Sequence, residues 1–458
     1  IKECDWSSDV CSSDLIVDAR GLHILPGVID TQVHFREPGL EHKEDLETGS
    51  RAAVAGGVTA VFKMPNTKPL TTTADLLADK VRRAKNRMFS DFAFYVGGTR
   101  DNVADIPMLE RLEGSAGIKV FMGSSTGDLL VDDETSLDAI IGAISRRAAF
   151  HAEDEARLIS RMGERIPGNP ATHPVWRDET AALMATTRLA RLAEKHRRRV
   201  HVLHISSAAE MEFLAAHKDW VSVEVTPHHL TLAAPDCYER LGTYVQMNPP
   251  VRDERHRAAI WAGLASGVVD VLGSDHAPHT REEKDHAYPA SHSGMTGVQT
   301  LVPMMLDHVN AGRLSLQRFV DLTSHGPQRL FGIIGKGRIA VGYDADLTIV
   351  DMKRKETITN GWIESRCGWT PYDGVSVTGW PVGTYVRGRR VMWQGEIAGP
   401  AHGQPVRFLE DLIHTNGSIL DLLYGRYTFV NPVLAKHYGM PAVAGAALLC
   451  LSPLLLVT

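Results

Sequence analysis

The chain has 458 residues, 43% of them hydrophobic and 23% charged, with a net charge of −6. These are globular values, roughly three times the usual domain length, and a mean hydropathy of −0.13 with pI ≈ 6.4 excludes a polytopic membrane protein and shows no basic footprint for nucleic acid. Five Cys are too few and too scattered for a disulfide scaffold, whereas 21 His point toward imidazole chemistry.

Residues 1–15 are polar, repeat Ser-Ser-Asp and lack both helical and strand period. They also lack the basic start and apolar centre of a signal peptide. The string CDWSSDVCSSDL resembles a translated sequencing adapter, so the segment is read as an artefactual or disordered leader and set aside. Residues 16–26 read as one strand of a small β-domain. From 27 to 335, short β-branched runs alternate with amphipathic stretches, which predicts parallel βαβ units. The runs lie at 27–34, 58–64, 92–98, 117–122, 148–152, 200–205, 221–226 and 269–274. Helical patterns at 74–88 and 179–196 are two of the crossovers. Eight such units predict a (β/α)8 TIM-type barrel. No GxGxxG follows the first run, which argues against a doubly wound sheet.

Residues 336–411 change character. KGRIAVGYDADLTIVD and VGTYVRGRRVMWQGE are short strands bounded by Gly and Asp. With residues 16–26 they predict a small, N-terminally incomplete β-sandwich-like domain. Residues 412–458 are an unassigned apolar tail. Its last 19 residues, 440–458, carry no charge, and their length matches a membrane span, although Pro441 and Pro453 interrupt it. Cys4, Cys11 and Cys450 fall in the two ends, which leaves Cys237 and Cys367, a usage expected of a reducing cytoplasm.

In a barrel of this kind catalytic side chains gather at the C-terminal ends of the strands. The ends here carry Gln32-Val33-His34-Phe35-Arg36, Pro65-Asn66-Thr67, Lys119, His151-Ala152-Glu153-Asp154, His204 and Asp275-His276-Ala277-Pro278-His279. A single His in such a place is more often a satisfied, half-buried residue than a ligand. His201, His228, His229 and the run Lys195–Arg199 take that plain reading. The convergence of several metal-capable groups on one mouth is what carries the inference. Neutral imidazoles with a carboxylate suit Zn²⁺, one ion or two, and zinc makes water acidic enough to ionise near neutral pH. Lys119 as an ammonium would be repelled by dications, but carbamylated by CO₂ it becomes an anion able to bridge them. Asp275 is able both to ligate and to shuttle a proton between the attacking water and a leaving nitrogen.

The motifs that carry these residues are PGVIDTQVHFREPG (26–39), FKMPNTKP (62–69), GIKVFMGSSTG (117–127), HAED (151–154), HVLHIS (201–206), MNPPVR (247–252) and GSDHAPH (273–279). Together they resemble the amidohydrolase superfamily and, within it, the dihydroorotase family, over residues 16–411. The resemblance implies a metal-dependent hydrolase of cyclic amides. It implies the reversible closure of N-carbamoyl-L-aspartate to L-dihydroorotate in pyrimidine biosynthesis, by a metal-bound hydroxide. His34, carbamylated Lys119, His151, His204 and Asp275 match metal ligands. Arg36, Asn66 and His279 match groups that hold the substrate carboxylate, a role suited to the fork of Arg. Asn248 and the turn at 294–297 match the segments beside the ring. One departure stands out: the usual His-X-His reads Gln32-Val33-His34, and an amide oxygen is a weaker ligand than imidazole. The resemblance leaves two alternatives, a hydantoinase- or allantoinase-like cyclic amidase and a non-catalytic scaffold for aspartate carbamoyltransferase. Self-assembly and that transferase are the macromolecular partners it implies.

Overall fold

The structure is a computed structural model. It describes residues 17–124, 129–399 and 401–408, plus the backbone of two short antiparallel strands at Tyr427–Val430 and Ala447–Cys450. The leader, residues 125–127 of the fourth-strand motif and the rest of the tail lie outside the described residues. Among the described residues no helix is long and apolar enough to cross a membrane.

β1 (His23–Pro26) leads directly into the barrel. The barrel strands are β2 (Val28–Val33), β3 (Val58–Lys63), β4 (Asp91–Gly97), β5 (Ser115–Phe121), β6 (Ala148–His151), β7 (Val200–Val202), β8 (Val221–Val225) and β9 (Val271–Leu272). They form one eight-stranded parallel sheet in sequence order. A parallel bridge between Val33 and His276, with the His34 N–H donating to the His276 carbonyl at 2.7 Å, joins the last strand to the first. Each predicted run became a strand, most of them shorter by a residue or more at one end.

The strands are buried on both faces, as parallel sheets require. On β4, Phe92, Phe94 and Val96 pack into the strand–helix layer, while Ala93 and Tyr95 face the lumen. The same period of two decides the site. Ile118 and Val120 pack outward, and so do Ala148 and Phe150. Lys119 and His151 therefore face the lumen at its upper end. The lower end is plugged by aromatic rings: Phe62 meets Phe331 and Phe408 edge-on at 5.4 and 5.7 Å. A fully buried Phe contributes about 2–3 kcal/mol. The helices start on side-chain caps. Asp45 accepts from Thr48 N in a capping box before Leu46–Ala55, and Asp178 accepts from Ala181 N before Glu179–His196.

β10 (Leu347–Thr357), β11 (Ser376–Val386), β12 (Arg389–Trp393) and β13 (Glu396–Ile397) extend β1 into a five-stranded antiparallel sheet, order β1-β10-β11-β12-β13. Two features bind it to the barrel. Lys336, fully buried, sits 2.5 Å from both Asp91 and Asp346 and 3.0 Å from Asp344. The excursion between β10 and β11 reaches under the mouth, where Trp369 Nε1 donates to the His279 carbonyl at 2.7 Å.

Candidate active site

The mouth of the barrel holds a pocket lined by Gln32, His34, Lys119, Phe121, His151, His204, Asn248, Asp275, Ala277, Ser293 and Gly294. All five residues matched to metal ligands are in it, together with Gln32 and Asn248. His204 and Asp275 adopt left-handed backbone, with φ of 38° and 48°. Each such residue carries roughly 1–3 kcal/mol of strain, and strain of this kind clusters at functional sites.

The donor atoms fall into two pairs with Lys119 on the same pocket wall. In one pair, His34 Nε2 lies 3.2 Å from Asp275 Oδ1. In the other, His151 Nδ1 lies 3.1 Å from His204 Nε2, with the rings edge to face. Burial lowers the pKa of His34, His151 and His204, so all three are held as neutral imidazoles. Neutral imidazole is the ligating form. Lys119 is buried and its Nζ has no hydrogen-bond partner; it sits 4.2 Å from the Phe121 ring centre. Burial pushes its pKa well below the usual lysine range. Gln32 donates from Nε2 to Asp275 Oδ1 at 2.9 Å, while its buried Oε1 has no partner.

These observations fit a divalent metal. Two imidazole nitrogens face each other, an amide oxygen and an amine are buried without partners, and one carboxylate stands among them. The outer nitrogens are held as metal-binding histidines usually are. His34 Nδ1 lies 2.8 Å from Asn66 Oδ1. His151 Nε2 lies 2.9 Å from Glu153 Oε2, off the ideal hydrogen-bond line. Glu153 is fixed in turn by buried Arg177, whose Nε donates to it at 3.1 and 3.2 Å.

Beside this group, Arg36 is 2% exposed and donates from Nε to the Pro278 carbonyl at 3.0 Å. Its Nη2 is 3.2 Å from His279 Nε2. Burial lowers the Arg36 pKa to about 10, which leaves it fully charged at neutral pH. Asn248 Oδ1 lies 2.9 Å from His173 Nε2, which is also 3.1 Å from the Met247 carbonyl.

Sequence reasoning gave no role to Glu153, Arg177, His173, Lys43 or Glu283. Glu153 alone carried a local signal, since it sits two residues past His151 in the HAED motif. The plain reading suits His201, which lies 2.8 Å from Ser222 Oγ, and His229, which lies 2.9 Å from Thr226 Oγ1. Among the described residues two other groups bring three ligand atoms together. Asp91, Asp344 and Asp346 surround Lys336. His279, Glu283 and His292 lie beside Lys43, whose Nζ is 2.7 Å from Glu283 Oε1. Protein cations already serve both.

Comparison with known proteins places this geometry. The profile described as "Amidohydrolase family" matches residues 23–391, and one described as a protein of unknown function matches 392–440. A dihydroorotase from Methanosarcina acetivorans is 37% identical over 417 residues, 88% of each chain. One from Pyrococcus furiosus is 36% identical over 391 residues, 84% of this chain and 86% of the relative. The solved L-hydantoinase (dihydropyrimidinase) of Arthrobacter aurescens superposes with a TM-score of 0.82 at 32% identity, over 87% of this chain and 92% of its own.

Proposed function

The chain belongs to the amidohydrolase family, and on that premise we propose that it is a dihydroorotase, which closes N-carbamoyl-L-aspartate to L-dihydroorotate with loss of water and reopens the ring in reverse. The observation that carries this reading is the Arg36–His279 pair beside the metal-binding group. A cyclic amidase for an uncharged ring has no use for a buried, fully charged guanidinium there. A guanidinium with a second donor is a carboxylate grip.

His34, His151, His204 and Asp275 would hold zinc, with Gln32 Oε1 as a weaker donor and Lys119 as a carbamate formed from its amine and CO₂ with release of one proton. A partnerless, neutral-leaning amine is the form that adds CO₂. Bound zinc supplies Lewis acidity, which polarises a carbonyl and makes water acidic near neutral pH. In the hydrolytic direction Asp275 accepts the proton of the attacking water and passes it to the ring nitrogen as the C–N bond breaks. Arg36 and His279 anchor the ring carboxylate, and Asn248, tied to His173, flanks the ring. Retention of His34, Lys119, His151, His204 and Asp275 in one pocket, despite Gln32, disfavours a non-catalytic scaffold.

The likeness to an L-hydantoinase makes a ring amidase without carboxylate recognition the second reading. Zinc-loaded protein supplied with bicarbonate is expected to interconvert dihydroorotate and carbamoyl-aspartate. Arg36→Met is expected to lower kcat/KM on dihydroorotate roughly 10- to 150-fold, the value of about 1.5–3 kcal/mol for a charged hydrogen bond. It should spare any activity on dihydrouracil, the same ring without the carboxylate. No turnover of dihydroorotate by the metal-loaded wild type would overturn the proposal.

A further inference from the structure

Behind His279 stands a pair of opposite charges, a buried lysine and a half-buried glutamate, that the proposed reaction does not use. Lys43 Nζ is 2.7 Å from Glu283 Oε1 and 3.2 Å from His279 Nδ1. Glu283 Oε2 is 3.4 Å from the same Nδ1 and accepts from Thr280 N at 3.1 Å. On the other side of the ring, Nε2 is 3.1 Å from the Ser293 carbonyl and 3.2 Å from Arg36 Nη2. Each ring nitrogen thus faces one group that only donates and one that only accepts. Two neutral arrangements compete.

In the first, Lys43 donates to Nδ1, so the ring proton sits on Nε2 and is offered to the Ser293 carbonyl. The Nε2–H and the Arg36 Nη2 are then neighbouring donors, and no lone pair occupies Arg36. In the second, Nδ1–H is given to Glu283, and Nε2 accepts from Arg36. The guanidinium would then be spent on the imidazole, and an Nε2 lone pair would face an incoming carboxylate.

We infer that Lys43, anchored by Glu283, is a positioning residue that holds His279 in the Nε2–H tautomer and so leaves the Arg36 Nη2 donor unspent on the imidazole and available to an anionic substrate group. An ammonium has no lone pair, so its contact with Nδ1 exists only if Nδ1 is unprotonated. Glu283 is already engaged by Lys43 and by the Thr280 cap, which weakens its claim on Nδ1. Burial, with Arg36, Lys43 and Lys284 nearby, opposes a doubly protonated ring. The remaining neighbours do not compete for Nδ1. Lys284 donates to three carbonyls, the His292 ring centre lies 4.9 Å away, and His42 meets Glu283 at 3.8 Å.

The consequence for substrate rests on the dihydroorotase reading; the tautomer does not. Nitrogen-15 NMR of histidine-labelled, zinc-loaded protein without substrate reads the tautomer directly, the His279 signal being the one lost in His279→Gln. The expected spectrum shows a protonated Nε2 and an unprotonated Nδ1. In Lys43→Met the proton is expected to move to Nδ1, KM for dihydroorotate to rise roughly tenfold, the value of one good donor, and kcat to change little. Lys43→Arg should restore both. A wild-type Nδ1–H signal would overturn the inference even if no variant folds, and so would an unchanged tautomer in Lys43→Met. An Nε2–H signal in a protein that leaves dihydroorotate untouched would uphold the inference and sink the activity.

Discussion

Lys119→Met is expected to move stability and function in opposite directions. Lys119 is 1% exposed and its amine has no hydrogen-bond partner. A buried polar group left unmatched costs about 1–3 kcal/mol, and the Phe121 ring offsets part of that when the amine is charged. Met has a similar reach and no donor. Metal-free, CO₂-free protein carrying Met is therefore expected to be about 1–2 kcal/mol more stable than wild type. Zinc and bicarbonate should reverse the order. A ligand at a hundred times its Kd stabilises the folded state by about 2.7 kcal/mol, and the variant lacks the amine proposed to hold zinc as a carbamate. The assay is urea unfolding at constant slope, with and without zinc and bicarbonate, beside metal content and turnover of dihydroorotate. Turnover by the variant should be undetectable. The reasoning fails if the metal-free variant is less stable than wild type, or if zinc stabilises both equally.

Glu153→Gln should lower zinc affinity about 10- to 100-fold by releasing His151. It should also cost roughly 3–5 kcal/mol because Arg177 keeps its charge in a buried place; intact affinity in a folded variant would remove Glu153 from the site. Gln32→His should raise the zinc content of dialysed protein, measured by plasma emission, since imidazole is the stronger donor; unchanged content would show that Gln32 does not face the metal. Lys63 and Lys80 are buried side by side, neither amine with a hydrogen-bond partner. Burial and mutual repulsion lower the Lys63 pKa, and burial lowers that of Lys80 to about 7. The unfolded chain binds more protons than the fold between about 7 and 10.5, so stability should rise with pH across that window. The slope is about 1.4 kcal/mol per pH unit for each neutral amine. The double variant Lys63→Met, Lys80→Met should lose that rise, and an unchanged slope would refute the account.

Much of the site was legible because its residues sit on strands or just past their ends. A period of two assigns Lys119 and His151 to the lumen once Ile118, Val120, Ala148 and Phe150 are recognised as outward. The parallel barrel then brings His34, His204 and Asp275 to the same end. Local pattern and barrel geometry suffice for that. They do not suffice for the groups that hold these side chains. Asn66, read as a substrate contact, also meets His34 Nδ1, 32 residues away. Asn248 is bound to His173, 75 residues away, and nothing near either residue predicts the other.

By itself the sequence determined the eight-stranded barrel and the polar groups gathered at its strand ends, Gln32 among them, because these follow from hydrophobic period and from motifs at strand ends. Only the tertiary structure decided how each of these side chains is oriented, that Arg177 and Glu153 stand behind His151, and that Lys43 reaches His279 across 236 residues of chain. Buried polar groups must find partners wherever the fold supplies them, and which distant segments become neighbours is settled by packing.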